Sequence, residues 1–142
     1  MMKPSELSHR RISDFSGIAL QRCSFHPGER IFEERNPGDS VLFIEQGSVQ
    51  VGMSNQTIAI LLAGSFFGEH CLEYPGYRVN SATALEDTVV CRIERDDMLE
   101  ALRTIPTLRE AFLVDLIDQQ EKILYLLLEL EWSRRASQVL ME

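Results

Sequence analysis

The sequence is short of cysteine, histidine and basic residues, and each shortage excludes something. Its three cysteines, Cys23, Cys71 and Cys91, lie far apart with no Cys-x-x-Cys spacing. No zinc or iron–sulfur site is expected from them, and an odd count argues against a disulfide framework. Free thiols in a reducing cytoplasm fit best, so a cytoplasmic location is expected. His9, His26 and His70 are scattered, and no His-x-His pair exists. A metal-dependent jelly-roll enzyme needs clustered His and carboxylate ligands, so neither a metal site nor a catalytic residue is expected. Lys and Arg number 14 against 22 Asp and Glu, a net charge of -8. That balance repels a phosphate backbone, so no nucleic acid binding by this chain alone is expected. No apolar run is long enough to cross a bilayer without charges, which argues against a membrane partner. The polar opening Met1-Met2-Lys3-Pro4-Ser5-Glu6 does not read as a signal peptide. What is present is ordinary: 142 residues, 44% hydrophobic and 25% charged. That suits one globular domain with a real core.

Along the chain, turn signals come at short, regular intervals. Ile12, Phe15, Ile18 and Leu20 suggest a short amphipathic lead-in helix ending near Gly17 or Cys23. From Ser24 the pattern changes to strands. Phe25 to Phe32 reads as strand, turn, strand around Pro27-Gly28. Asn36-Pro37-Gly38-Asp39 is a strong turn signal. Val41 to Glu45 reads as a buried strand, and Gln46-Gly47-Ser48 turns it into Val49 to Met53. Ser54-Asn55 is a tight hairpin connection, and Thr57 to Leu62 returns. Ala82 to Ile93 supplies two more strands around Glu86-Asp87. Many short strands between turns predict a barrel or jelly roll.

After Ile93 the period becomes helical. Arg95 to Thr104 reads as a helix with Asp96 and Asp97 in its first turn, where they suit the dipole. Pro106-Thr107 breaks it, and Thr107 is expected to cap a long helix from about Leu108 to Leu130. Leu113, Leu116, Gln120, Ile123, Leu127 and Leu130 follow spacings of three and four. Phe112, Leu116, Gln119, Ile123, Leu126 and Leu130 do the same on an overlapping seam. Ile123 to Leu128 is apolar nearly all round, more than one barrel face covers. A homodimer through Phe112, Leu113, Leu116, Gln120, Ile123, Leu127 and Leu130 is therefore expected. The expected fold class is mainly β with C-terminal helices: a β-roll or jelly-roll barrel, then a long dimerisation helix. Residues 1–106 would hold the lead-in, the roll and a short connecting helix. Residues 107–142 would hold the long helix and a tail.

The stretch that organises the chain runs from Phe66 to Ala84. Phe66-Phe67-Gly68-Glu69 opens a one-turn helix to about Leu72, Pro75-Gly76 makes a turn, and an alternating strand follows from Val79. Free N–H groups at the start of that turn favour an anion. Gly68 lets a ligand approach the backbone. Arg78 supplies a charged planar fork suited to phosphate, and Glu69 can accept hydrogen bonds from a sugar hydroxyl. The parts together predict a small pocket for a ribose-bearing phosphate. The plain alternatives are a simple turn at Gly68-Glu69, a solvated Arg78, and wall or core roles for His70 and Cys71.

In order and spacing, Phe67-Gly68-Glu69-His70-Cys71-Leu72 followed by Arg78 resembles the phosphate-binding cassette of cyclic-nucleotide-binding domains, in particular those of the Crp/Fnr family of bacterial regulators. Pro27-Gly28-Glu29-x-Ile31-Phe32 and Pro37-Gly38-Asp39-Ser40-Val41-Leu42-Phe43-Ile44 resemble that family's β-roll opening, with Arg35 where a glycine is usual and a wider turn expected there. The resemblance covers about residues 24 to 131. It implies a ligand-sensing module with cAMP or cGMP as ligand, no other cofactor, and a helix that dimerises and closes over the nucleotide. The implied ligand-binding residues are Phe67, Gly68, Glu69, His70, Cys71, Leu72, Arg78, Val79 and Asn80, with Ile123 and Leu124 facing the base. Two departures stand out. Val79 lacks the family's hydroxyl donor, and Ile123-Leu124 replace a Thr-Ser pair that contacts adenine. An apolar cap reads a purine poorly, since a site built of hydrogen bonds discriminates far better. The alternatives are a structural dimer with a vestigial pocket, or a haem or redox sensor using His70 and Cys71. The end, Glu131 to Leu140, resembles the start of the DNA-reading half of full-length members; the expectation is a sensor without the helix-turn-helix half, either standing alone or cut from a longer regulator.

Overall fold

The computed structural model describes residues 17–73 and 75–120. Among the described residues, eight strands form two four-stranded antiparallel sheets: β1 (Gln21–Phe25), β2 (Arg30–Phe32), β3 (Ser40–Gln46), β4 (Ser48–Met53), β5 (Gln56–Leu62), β6 (Phe66–Phe67), β7 (Ser81–Ala84) and β8 (Thr88–Glu94). One sheet has the order β1-β8-β3-β6 and the other β2-β7-β4-β5. A 3-10 turn, Glu69–Leu72, follows β6. Helix α1 (Arg95–Thr104) follows β8, and residues 106–120 form the described part of a second helix, here the C-terminal helix. The molecule is thus mainly β with C-terminal helices, a jelly-roll of two sheets.

The cores explain why β3 is apolar on both faces. Val41 and Phe43 point into one core with Phe66, Cys71, Ile93, Met98, Leu108 and Phe112, between the first sheet and the helices. Leu42 and Ile44 point the other way, into the space between the sheets, with Val49, Val51, Leu61, Phe67 and Val90. A strand covered on both faces reads as a continuous hydrophobic run. β6 divides in the same manner: Phe66 enters the first core and Phe67 the second. Phe66 lies 5.0 Å from Phe43 and 5.0 Å, edge-on, from Phe112 of the C-terminal helix.

Several sequence-based boundaries shift. Ile18 and Leu20 are not helical. Gly17 lies at φ +85, and both side chains pack against the first core. The first strand begins at Gln21 rather than Ser24, because pairing from Gln21↔Arg92 to Phe25↔Thr88 holds this segment extended. The rest of the lead-in, with Ile12 and Phe15, lies outside the described residues. The strand expected from Val79 starts at Ser81, where pairing with β4 begins. Arg35 does not widen its turn: it takes the left-handed conformation itself, at φ 72, while its N–H bonds the Arg78 carbonyl at 2.7 Å. Thr107 does not cap the C-terminal helix. Pro106 already occupies its first position, where a missing N–H costs nothing, and Thr107 falls within the first turn. Ile123, Leu124, Leu127 and Leu130 lie outside the described residues.

Candidate functional site

The stretch after β6 is held by its neighbours rather than by its own few hydrogen bonds. Gly68, at φ 75, starts the 3-10 turn in a conformation that L side chains rarely adopt. Arg95, the first residue of α1, ties down the far end: its Nε donates to the Cys71 carbonyl at 2.8 Å and an Nη to the Leu72 carbonyl at 3.2 Å. The loop before β3 braces the other side. Gly38 N–H donates to the Gly76 carbonyl at 3.0 Å, Gly76 N–H to the Asp39 carboxylate at 2.7 Å, and Arg78 N–H to the Asn36 carbonyl at 2.9 Å.

Arg78 is the charged centre of this arrangement, and only 8% of it is exposed. One Nη donates to the Ser40 carbonyl at 2.7 Å and the Gly68 carbonyl at 3.2 Å, and the other donates to the Ser40 hydroxyl at 2.8 Å. Its guanidinium carbon lies 4.4 Å from the centre of the Phe32 ring, a favourable cation–π arrangement. Two glycines make the space. A Cβ on Gly38 would sit 2.4 Å from Arg78 Nε, and one on Gly68 would sit 2.7 Å from an Nη. Burial pushes the Arg78 pKa down from its usual value. Among the described residues no carboxylate lies within ion-pair distance of it. Three of the five guanidinium N–H groups are used by these bonds.

The expected binding residues fall on three adjoining surfaces. Gly68, His70, Cys71, Arg78, Val79 and Asn80 line one shallow pit. Glu69, His70 and Leu72 line a groove of about 330 Å3 beneath the C-terminal helix, facing Phe112, Leu116 and Gln119. Phe67 is buried between the sheets, beside Phe32 at 5.8 Å. Glu69 and Arg78 thus line different surfaces, and His70 lines both. Burial holds the Glu69 carboxyl above the ordinary range. Its own backbone N–H and the nearby His70 oppose that shift, and Asp115 adds to it. His70 Nδ1 lies 3.7 Å from the Glu69 carboxylate. Burial likewise raises the Cys71 thiol, which leaves it a neutral wall residue.

Sequence reasoning missed Ser40, Gly38, Phe32, Arg95, Asp115 and Gln119. Asp115 and Gln119 carried a signal as polar residues on or beside the apolar stripe of Phe112 and Leu116; Phe32, Gly38 and Ser40 stood in the roll-opening motifs without pointing to the site.

A family model for the cyclic nucleotide-binding domain matches residues 22–104. The chain is 32% identical, over 91% of its length, to the cyclic AMP receptor protein of Thermus thermophilus, of which the match spans 71%. It is 37% identical over 55% of its length to a cGMP-dependent protein kinase of Eimeria tenella, but spans 8% of that protein. The solved structure of the Thermus thermophilus catabolite activator protein superposes with a TM-score of 0.63 at 27% identity, over 90% of this chain and 62% of that one. With the two-sheet roll, the 3-10 turn after β6 and the buried arginine beyond it, these matches place the chain in the cyclic nucleotide-binding domain family, the same family as Crp-type regulators.

Proposed function

We propose that this chain is a ligand-sensing regulatory module that binds a cyclic nucleotide such as cAMP or cGMP and passes the event to its C-terminal helix. The observation that carries the reading is Arg78, a buried guanidinium with no ion-pair partner among the described residues. A buried charge is costly unless paired, and a singly charged cyclic phosphate is the counter-ion that this site suits. Arg78 would take the phosphate, helped by the backbone N–H groups of residues 68–71. Glu69 would take the ribose hydroxyl, and His70 and Val79 would form the rim. Glu69 follows Gly68 in the chain and Arg78 donates to the Gly68 carbonyl, so a nucleotide reaching both would pass beside Gly68. Two relatives of this chain carry cyclic AMP and cGMP in their names, which agrees with a cyclic nucleotide and leaves the choice of base open.

The output would be dimeric. On the described part of the helix, Phe112 and Leu116 face the chain's own core, whereas Leu113, Val114 and Ile117 are more than half exposed at 53, 57 and 58%. A second copy would meet these three rather than Phe112. Thermal melting in the presence of millimolar cAMP, cGMP, cyclic dinucleotides or haem tests the reading. A ligand that binds only the folded state raises Tm by mass action. A cyclic mononucleotide is expected to raise it, and a rise with haem alone would favour a different sensor.

A further inference from the structure

We propose that Asp115 and Gln119 are positioning residues for the binding stretch: they fasten the C-terminal helix to the peptide of Phe66, two residues ahead of Gly68, so that helix and stretch shift together. The Asp115 carboxylate accepts the Phe66 N–H at 2.8 Å and the Gln119 side-chain amide at 2.7 Å. The same amide donates to the Phe66 carbonyl at 2.7 Å. Both backbone polar groups of one residue are thus gripped by one face of one helix. β6 is an edge strand of its sheet, and an edge leaves backbone groups to be satisfied from elsewhere. The ring of Phe66 meets the same helix face, edge-on to Phe112 at 5.0 Å. Residues 112, 115, 116 and 119 follow the 0, 3, 4, 7 spacing that places them on one side of a helix.

Two further facts connect the clamp with the binding residues. Asp115 is 6% exposed, so its bonds are made away from water, where losing a partner is costly. Gln119 also lines the groove that Glu69 faces. A displacement of Gly68 or Glu69 by a ligand would therefore be felt through Phe66 by the helix. By linkage, a displacement of the helix would alter the affinity of the stretch equally.

This inference rests on the cyclic nucleotide reading above, and one experiment separates the two. The full chain is compared with Asp115→Ala, Gln119→Leu and the near-isosteric Asp115→Asn. Calorimetry with cAMP and cGMP is combined with amide exchange, with and without ligand. In Asp115→Ala the Phe66 amide should exchange about ten- to a hundredfold faster, the loss of one charge-assisted hydrogen bond. Asp115→Asn, which keeps an acceptor in place, should recover most of that protection. In the wild type, saturating ligand should change exchange across residues 106–120. In Asp115→Ala and Gln119→Leu that response should vanish at ligand concentrations that calorimetry shows to be saturating for each variant, whatever the change in affinity. A helix response of wild-type size in folded Asp115→Ala and Gln119→Leu overturns the positioning role, and so does unchanged protection of Phe66. If the wild type takes up neither nucleotide, the binding reading fails and the positioning role falls with it, whatever the Phe66 amide shows.

Discussion

At the scale of single residues, the site depends on charge held where water is scarce. Arg78 is kept by Ser40, Gly68 and the Phe32 ring, and Glu69 is kept partly buried beside His70. The sequence pointed to Arg78 and Glu69 because their types and order match a known pattern. It did not point to Ser40, whose contact with Arg78 spans 38 residues. A serine opening an apolar strand looks like any turn residue until the fold brings a guanidinium to it. Glu69 yields a prediction with a definite sign. Its pKa is raised in the folded state, so the folded protein holds that proton more tightly than the unfolded one. Stability should therefore fall as pH rises from the ordinary carboxylate value towards the raised one, and the penalty is complete above both. Glu69→Gln removes that penalty. Its Tm should exceed that of the wild type at neutral pH, and the gain should shrink to nothing below about pH 4. A gain of equal size at both pH values would show that some other contact is responsible.

Among elements, the strands and turns were mostly legible and their ends were not. β3 announced itself by its apolar run, and the hairpin by Ser54-Asn55, which takes φ 52 and φ 64. Two successive positive φ values match a type I′ turn, and neither residue is a glycine. Replacing the pair with Ser54→Asn and Asn55→Gly should stabilise the fold by about 0.5–1 kcal/mol in a urea titration, because glycine carries no steric cost there. A lower midpoint would mean that the turn does not govern this hairpin. The misplaced ends share one cause. β1 reaches back to Gln21 and β7 starts at Ser81 because partners in β8 and β4 set their limits. No local signal carries that information. Pro106 and Thr107 are a simpler case: both can start a helix, and proline took the first helical position.

For the whole molecule, the chain presents a roll with a cassette on one side and a helix whose outward face is apolar. That face predicts association. Light scattering at micromolar concentration should give twice the chain mass of 16.2 kDa, and Leu113→Glu should return a folded monomer. A wild type that stays monomeric would remove the dimer from the account. The β-roll or jelly-roll class was legible because regularly spaced turns allow few alternatives; the division into two sheets was not. The helix was legible as amphipathic, but which of its faces meets the roll was not, since overlapping apolar seams left the register open.

The claim on which everything else depends is that Arg78 carries the negative charge of a cyclic nucleotide. Calorimetric titration of cAMP and cGMP into the wild type, Arg78→Ala and Arg78→Lys tests it most directly. Charge-assisted hydrogen bonds contribute about 1.5–3 kcal/mol each, so Arg78→Ala should weaken binding by roughly ten- to a hundredfold or more. Arg78→Lys, which keeps the charge and loses the fork, should fall between. With Ile123 and Leu124 expected at the base, the two nucleotides should differ by less than about tenfold in the wild type. Equal affinities in the wild type and a folded Arg78→Ala, or no binding of either nucleotide at millimolar concentration, would contradict the account.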